Sequence, residues 1–410
     1  MLWTVITAVA LVTGAWFISR PARDPVYQGQ RLSVWFDQLQ PLSPLTSARA
    51  ANSTNLIQFN ARTREQRENA REAIQKMGPA AVPFLVDRLR ARDPYWRKKY
   101  REFYFSRARR WPRWIASRLP APRQDTADMT QMNAVMALGW LGNAAKPAAP
   151  ELAKAMSDEL SFSGFEAGRV LAALGPSARE AIPTLIATLR AKNPHVANNA
   201  VSVIVSVARD SPEIIPVLAR MLGEQDAVKI RVLQIFPRLG QSATGAERDI
   251  ESLVTSTNGS VRFAVITALW DIFPRRHLEL LPKLEEFARS PDKNMRESAG
   301  LKLVGMQPLT ERAAELLTVV VLNGGEGFCW SAFTMLGKRG REASNAIPAL
   351  IEGLNAKEPR VAAKAAAALG EIARPDKETT SALEKARLHD YLMVREAAGE
   401  AIQKIQSKPD

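Results

Sequence analysis

Apolar residues along the chain follow a helical spacing that recurs every 33 residues. In the copy that starts at Phe165, two apolar stripes with steps of three and four predict a helix A and a helix B, separated by Gly175-Pro176. Pro183 falls in the first turn of helix B, where a missing N–H costs little, and Asn193-Pro194 ends the unit. The unit is therefore helix, break, helix, break.

Two sequence registers keep this period over most of the chain. The helix B register contains Pro150, Pro183, Pro216, Asp249, Pro282, Glu315, Pro348 and Ser381. The helix A register contains Ala134, Ala167, Ala200, Leu233, Ile266, Ala299, Ala332, Ala365 and Ala398. A fixed period of this length is typical of a solenoid, and it predicts about nine or ten stacked helix pairs.

The N-terminus breaks the pattern with eighteen uncharged, mostly apolar residues, Leu2 to Ser19. Arg20 and Arg23 follow at once, so residues 1–20 are predicted to be a transmembrane anchor of a single-pass membrane protein. The positive-inside rule then places the repeat domain in the cytoplasm. One alternative is a signal peptide cleaved near Ala15, which would remove residues 1–15 and export the protein, and another is a buried core helix.

Residues 21–61 are predicted to be a linker that contains one short amphipathic helix. Its apolar face is formed by Leu32, Trp35, Phe36 and Leu39, and Ser33 is a candidate cap. Residues 62–93 are predicted to be the first repeat, and residues 127–408 the main repeat array.

Residues 94–126 depart from the repeat and form a basic, aromatic insertion. Between Tyr95 and Arg123 there are ten Lys or Arg residues against one acid, Glu102, which supplies +9 of the net charge of +14. Eight aromatics accompany them, and the spacing predicts two short amphipathic helices broken at Pro112. The candidate contact residues for a membrane or a polyanion are Trp96, Arg97, Lys98, Lys99, Arg101, Arg107, Arg109, Arg110, Trp111, Arg113 and Trp114.

Three interpretations of the segment 95–123 remain open. The aromatics can pack on the first repeats while the basic side chains form a solvated face. They can lie at a membrane surface, with the basic groups on anionic lipid headgroups. They can also bind nucleic acid through phosphate contacts and base stacking.

Three strings carry a resemblance to a known family: DYLMVREAAGEAI (390–402), EPRVAAKAAAALGEI (358–372) and LGPSAREAIPTL (174–185). They resemble HEAT repeats, including the HEAT-like repeats of phycobilisome lyases. YQGQRLSVW (27–35) is similar to a shorter motif of uncharacterised bacterial membrane-anchored HEAT proteins. The resemblance implies an all-α fold, a right-handed α-α superhelix of the HEAT/ARM type. It also implies a protein-interaction scaffold that binds its protein partners on the concave helix B surface.

The sequence contains no recognisable catalytic constellation, so we expect no enzyme activity, cofactor or metal. His195, His277 and His389 lie far apart and none is followed by Glu, which removes the His-Glu pairs of the HEAT-repeat deoxyhypusine hydroxylases. Cys329, the single cysteine, is expected to be a buried thiol, and Gly324-Gly325 a turn.

The alternatives to a protein-interaction scaffold are a nucleic-acid-binding HEAT-like protein, such as a DNA glycosylase, and a HEAT-like lyase subunit. Mixed charge on helix B, as at Lys283, Glu285, Glu286 and Arg289 or at Glu384, Lys385 and Arg387, favours protein partners.

Overall fold

The computed structural model describes residues 24–39, 53–92, 127–158 and 163–407, together with positions 96, 99, 100, 103 and 104. The chain divides into two compact units, Met1–Ile214 and Ile215–Asp410. Within the described residues both units consist of paired helices, and β-structure is confined to one short hairpin. The predicted all-α repeat fold is therefore confirmed.

Residues 24–39 are folded onto the first helix pair. Strands β1 (Val26–Tyr27) and β2 (Gln30–Arg31) are antiparallel and are joined by Gln28 and Gly29, both with positive φ, as a tight hairpin turn requires. Helix α1 (Leu32–Asp37) follows directly, and the predicted apolar face is buried. The ring of Phe36 meets that of Phe84 edge-on at 5.8 Å. This segment was predicted to be a linker, and its folded part is instead an ordered cover of the first repeat.

Ser33 does not cap α1. It is the second residue of the helix, and its N–H and hydroxyl donate to the two carboxylate oxygens of Asp24 at 2.9 and 2.6 Å. Trp35 donates its indole N–H to the carbonyl of Tyr27, which ties the helix to the hairpin. The capping prediction was wrong because the helix begins at Leu32, one residue before Ser33.

After α1, the described residues of the first unit form three helix pairs and one further helix A. Its helices are α2 (Ser53–Met77), α3 (Val82–Leu89), α4 (Ala127–Leu141), α5 (Ala149–Ser157), α6 (Gly164–Leu174), α7 (Ile182–Thr188) and α8 (Pro194–Val207). Helix α2 begins at Ser53 rather than at the predicted position 62. The sequence predicts a loop at Ser53, Thr54 and Asn55 because these residue types favour turns. The same residue types also favour the start of a helix.

The second unit continues the same alternation of helices A and B. Its helices are α9 (Ile215–Met221), α10 (Asp226–Ile235), α11 (Glu247–Glu251), α12 (Gly259–Ile272), α13 (His277–Ala288), α14 (Lys293–Gly305), α15 (Glu311–Leu322), α16 (Glu326–Arg339), α17 (Ile347–Gly353), α18 (Pro359–Ile372), α19 (Lys377–Ala386) and α20 (Leu392–Ser407). Successive A helices pack on one another, as α16 does on α18 and α18 on α20.

The helix A register forms the centre of the core. Its nine residues, from Ala134 to Ala398, are at most 2% exposed, and seven of them are alanine, which allows neighbouring helices to approach closely. Pro150, Pro183, Pro216 and Pro348 are each the second residue of a helix B, as predicted for Pro183. Pro282 lies inside α13, because that helix begins earlier in its repeat, at His277.

A glycine with positive φ lies between helix A and helix B in five of the described repeats. Gly78, Gly142, Gly175, Gly240 and Gly340 have φ between 53° and 62°, a region that L side chains rarely adopt. Four of them begin the 3₁₀ segment that leads into helix B, and Gly240 lies inside such a segment. The break predicted at Gly175-Pro176 is confirmed.

The turns between repeats are closed by side-chain hydrogen bonds. Asn258 and Asp292 cap the helix A that follows them. The guanidinium groups of Arg262, Arg296 and Arg395 each donate to two carbonyls of the turn before their own helix, at distances from 2.7 to 3.4 Å.

Residues 2–19, the predicted membrane anchor, lie outside the described residues. None of the helices in the described part of the chain is both long enough and apolar enough to cross a membrane.

Candidate interaction surfaces

Most of the predicted contact residues of the insertion lie outside the part of the chain that the structure describes. Trp96 and Lys99 are described, and the Trp96 side chain is 65% exposed. Tyr100 and Tyr104 are half-buried, and their ring centroids lie 6.2 Å apart. This pair agrees with the predicted helical spacing of the aromatics. Contacts with a membrane or a polyanion stay predictions for the positions 97, 98, 101, 107, 109, 110, 111, 113 and 114.

In the first unit, charged side chains of helix B brace neighbouring repeats. Arg90, directly after α3, lies 2.8 Å from the carboxylate of Glu151 in α5, and Lys154 lies 3.0 Å from the same oxygen. The hydrogen bond from Arg90 is the main cause that lowers the pKa of Glu151. Arg92 and Asp158 form a second, looser pair at 3.6 Å. These charges are therefore satisfied within the protein.

The second unit repeats this bracing with a larger cluster. Arg276 contacts Glu247 at 2.8 Å and Glu251 at 2.5 Å, both in α11, and Glu279 at 2.6 Å in α13. The hydrogen bond that Arg276 donates to Glu279 is the main cause that raises the pKa of Arg276, followed by those it donates to Glu251 and Glu247. One guanidinium thus holds two successive B helices together.

The mixed charge that favoured a partner surface on α13 is mostly engaged in similar pairs. Glu285 accepts from Arg312 at 2.6 Å and from Arg289 at 3.1 Å. Glu286 accepts from Arg262 at 2.6 Å. A partner would have to compete with these pairs, so the charges of α13 do not by themselves define a binding surface. In α19, Arg387 pairs with Glu384 at 3.2 Å, again within the protein.

A cleft of about 710 Å³ opens in the second unit between three turns that each lead into a helix A. Its lining residues are Lys293, Val321, Leu322, Gly324, Gly325, Glu326, Gly327, Cys329, Phe333, Glu352, Gly353, Asn355, Ala356, Lys357, Glu358 and Val361. They come from the start of α14, from the turn between α15 and α16, and from the turn between α17 and α18. The period predicts these turns, but it does not reveal the cleft between them.

Exposed apolar side chains also lie at or beside the turns of the second unit that lead into a helix A. Leu322 is 62% exposed, and Leu388, two periods further on, is 85% exposed. Asn355, midway between them in sequence, lines the cleft together with Leu322. The exposure continues after Leu388 at the start of α20, through Tyr391 at 55%, Leu392 at 59% and Met393 at 45%. We call Leu322, Leu388 and 391–393 the apolar edge.

The outer face of the last helix, α20, is polar. Glu396, Glu400 and Gln403 stand where α18, one period earlier, has Ala363, Ala367 and Gly370. In α18 that face packs against α20, and a Cβ on Gly370 would lie 2.8 Å from the Cα of Ala401. The polar substitutions remove the apolar contact that a further helix would need. The outer face of α20 therefore differs from the apolar face that α18 presents to α20, and the apolar edge lies at the start of α20.

Two of the residues considered for catalysis, Cys329 and His277, make structural contacts. Cys329 is 6% exposed, and burial, followed by the charge of Glu297, raises the pKa of its thiol to about 11. The ring of His277 stacks on Trp270 at 4.1 Å, and its Nε2 lies 2.9 Å from the carbonyl of Trp270. Nowhere in the described ranges do three or more His, Cys, Asp or Glu residues gather closely enough to hold a metal ion.

Comparison with protein families supports the repeat assignment for the C-terminal part. Residues 330–403, from α16 into α20, match the family model described as HEAT repeats. No curated protein matches the chain.

Several solved structures are similar at low sequence identity. An engineered protein is 16% identical, with a TM-score of 0.38 over 92% of this chain and 99% of its own. Human deoxyhypusine hydroxylase, in complex with glycerol, is 18% identical, with a TM-score of 0.30 over 64% of this chain and 97% of its own. A mutant of the karyopherin Kap121p is 12% identical, with a TM-score of 0.46 over 91% of this chain. The chain spans about half of Kap121p, 49% of its length.

Proposed function

We propose that this protein is a non-catalytic protein-interaction scaffold, tethered to a membrane through residues 2–19. The observation that carries the scaffold role is the apolar edge. Five large side chains, Leu322, Leu388, Tyr391, Leu392 and Met393, are 45–85% exposed at or beside turns that lead into a helix A. Exposed apolar side chains grouped along one edge are typical of surfaces that bind another protein.

The tether rests on the sequence of residues 2–19 and on the folded segment that follows. Asp24 is fixed by its two hydrogen bonds with Ser33, and α1 is buried against the first helix pair. Only Pro21 to Arg23 separate Arg20 from Asp24, and three residues span at most about 10 Å. An anchor at residues 2–19 would therefore hold the first repeat against the membrane surface, with the repeat domain in the cytoplasm.

Carbonate extraction of membranes tests the tether. We expect the full-length chain to stay in the membrane pellet and a variant without residues 2–19 to be recovered in the supernatant. Recovery of the full-length gene product in the supernatant, with an N-terminus near residue 16, would instead establish a cleaved signal peptide.

Site-specific crosslinking in the native host tests the scaffold role. A photo-reactive amino acid at position 388 is expected to give discrete adducts with one or a few proteins. The matched control is position 342, an exposed site between α16 and α17 and outside the apolar edge. Equal adduct patterns from the two positions, or none from position 388, would contradict the scaffold role.

The alternative of nucleic-acid or lipid binding through 95–123 stays a prediction. Among its proposed contact residues only Trp96 and Lys99 belong to the described part of the chain. The same carbonate fractions, probed with anionic vesicles and with oligonucleotides, would separate these two ligands by their dependence on salt.

A further inference from the structure

Several glycines form part of the wall of the cleft in the second unit. Gly324 and Gly325 bring the turn between α15 and α16 against α14, where the Gly325 N–H donates to Glu297 at 2.6 Å. A Cβ on Gly325 would lie 2.8 Å from Lys293 Nζ, and one on Gly324 would lie 2.7 Å from the Phe328 ring. A Cβ on Gly353 would collide with the Phe333 ring. The close approaches at Gly324 and Gly353 leave no room for a Cβ beside the two phenylalanine rings.

The floor of the cleft is apolar. Val321, Cys329, Phe333 and Val361 are each at most 8% exposed, and together they form a continuous apolar lining with Ala356. At the rim, Leu322 is 62% exposed. Covering this lining and the Leu322 side chain with an apolar group from a partner would release ordered water and stabilise a complex.

The lining of the cleft has a net negative charge, with three glutamates against two lysines. Glu326, Glu352 and Glu358 line the cleft, and none of the three forms an ion pair with any described residue. Lys357 is the one unpaired cation of the lining within the described ranges, since Lys293 lies 3.9 Å from Glu297. Three unpaired carboxylates against one ammonium group make the cleft complementary to a cationic group. In the helix B clusters, by contrast, the charges are already paired.

We infer that this cleft binds a peptide segment of a partner protein that carries an apolar side chain flanked by Lys or Arg. Such binding rests on the scaffold role proposed above and gives the chemistry of the partner. The apolar side chain would enter the floor, and the cationic groups would meet Glu326, Glu352 and Glu358. A peptide fits better than a small cation, because Leu322 both lines the cleft and belongs to the apolar edge, and the floor of the cleft is apolar.

Selection from a random octapeptide library displayed on phage tests this inference. The target is the purified full-length protein in detergent, at 150 mM salt. We expect enrichment of sequences that pair an aromatic or aliphatic residue with Lys or Arg. A labelled copy of the most enriched peptide is then titrated by fluorescence anisotropy.

Two cleft variants and one control are titrated with the same peptide. Glu326→Lys with Glu358→Lys reverses the charge of the rim, and Ala356→Trp fills the cleft without changing its charge. Each is expected to weaken binding at least tenfold. The control, Glu342→Lys with Glu378→Lys, makes the same charge change at exposed sites outside the cleft and should change the Kd less than twofold. Thermal unfolding followed by circular dichroism verifies that all variants are folded.

Three results would overturn the inference: no enriched motif, an acidic motif, or a motif whose affinity is unchanged in both cleft variants. A motif that matches residues 95–123 and drives association of the purified chain would also overturn it, since the occupant would then be a second copy. Because the crosslinking from position 388 does not depend on the cleft, adducts there together with failure here would leave the scaffold role intact. If position 388 gives no adducts and no motif is enriched, both proposals are wrong.

Discussion

The side-chain amide of Asn258 donates to the carboxylate of Asp226 at 2.9 Å and joins the starts of two successive A helices. The oxygen of the same amide caps α12, accepting from the backbone N–H groups of Ser260 at 2.9 Å and Val261 at 3.3 Å. Hydrogen bonds from Lys229 and then Asn258 lower the pKa of Asp226. One residue therefore closes its own repeat and ties it to the previous one.

Substitutions at Asn258 separate these two roles. Asn258→Ala removes both and should lower the free energy of unfolding by about 1–2 kcal/mol, as expected for loss of a cap and a hydrogen bond. Asn258→Asp keeps the cap but places a second carboxylate against Asp226. Its destabilisation should be largest at pH 7 and should shrink as the pH falls towards 4, where one of the two carboxyl groups becomes protonated.

Urea denaturation of these variants between pH 4 and pH 7 measures the effect. Asp292→Ala is the matched control, because Asp292 caps α14 by accepting from the Met295 N–H. In the wild type, the folded-state pKa of Asp226 is lowered, so its contribution is present above the ordinary value of 3.8 and is lost as the pH falls through the folded value. A loss of stability in Asn258→Asp that is equal at pH 4 and pH 7 would contradict the repulsion.

Much of the fold could be predicted from the sequence because every repeat packs its two helices in the same way. The buried register from Ala134 to Ala398 and the break at Gly175 follow from local rules of helix packing and capping. The hairpin at 26–31 was missed, because strands of two residues leave no periodic signal. The start of α2 at Ser53 was missed, because the residues of a loop and of a helix N-terminus overlap.

The candidate sites could be predicted far less well. The cleft depends on how close Gly325 comes to Glu297, which lies 28 residues earlier in the chain, and a linear pattern does not contain that distance. The mixed charge of α13 was interpreted as a partner surface, and this interpretation failed for a related reason. Glu285 and Arg312 lie 27 residues apart in sequence but 2.6 Å apart in space, so a side chain that seemed available to a partner is already paired.

Gly370 and Gly399 provide a matched pair for testing how closely the last helices pack. Gly370→Ala would place a Cβ 2.8 Å from the Cα of Ala401, so α18 and α20 would have to separate. We expect a loss of about 1–3 kcal/mol, the usual range for overpacking. Gly399→Ala puts the same methyl group on α20 where nothing lies within 4 Å, and it should stabilise by about 0.4–1 kcal/mol.

Hydrogen exchange distinguishes this mechanism from a general loss of stability. In Gly370→Ala the amides of α20 should exchange faster, while those of α12 should be unchanged, because each repeat contacts only its neighbours. Equal acceleration across the second unit, or equal stability of the two glycine variants, would show that the close approach to Ala401 is unimportant.

Cys329 should react as a buried thiol with a high pKa. Because that pKa is raised to about 11, the thiolate makes up about one part in a thousand at pH 8. The rate of alkylation by iodoacetamide should therefore be very low at pH 8 and should rise about tenfold per pH unit up to pH 10. The urea-unfolded chain is the control, and its rate should level off near pH 9. A plateau near pH 9 in the folded protein would contradict the effect of burial.

The polar outer face of α20 should keep the array from extending. Replacing Glu396, Glu400 and Gln403 by alanine restores the kind of face that α18 uses to pack against α20. Because that face would then be apolar and exposed, we expect the triple variant to self-associate with increasing concentration, which sedimentation velocity would detect. A control variant, Glu311→Ala with Glu342→Ala, removes the same charge at other exposed sites and should sediment like the wild type. If the triple variant also sediments like the wild type, then the polar face of α20 is not what ends the stack.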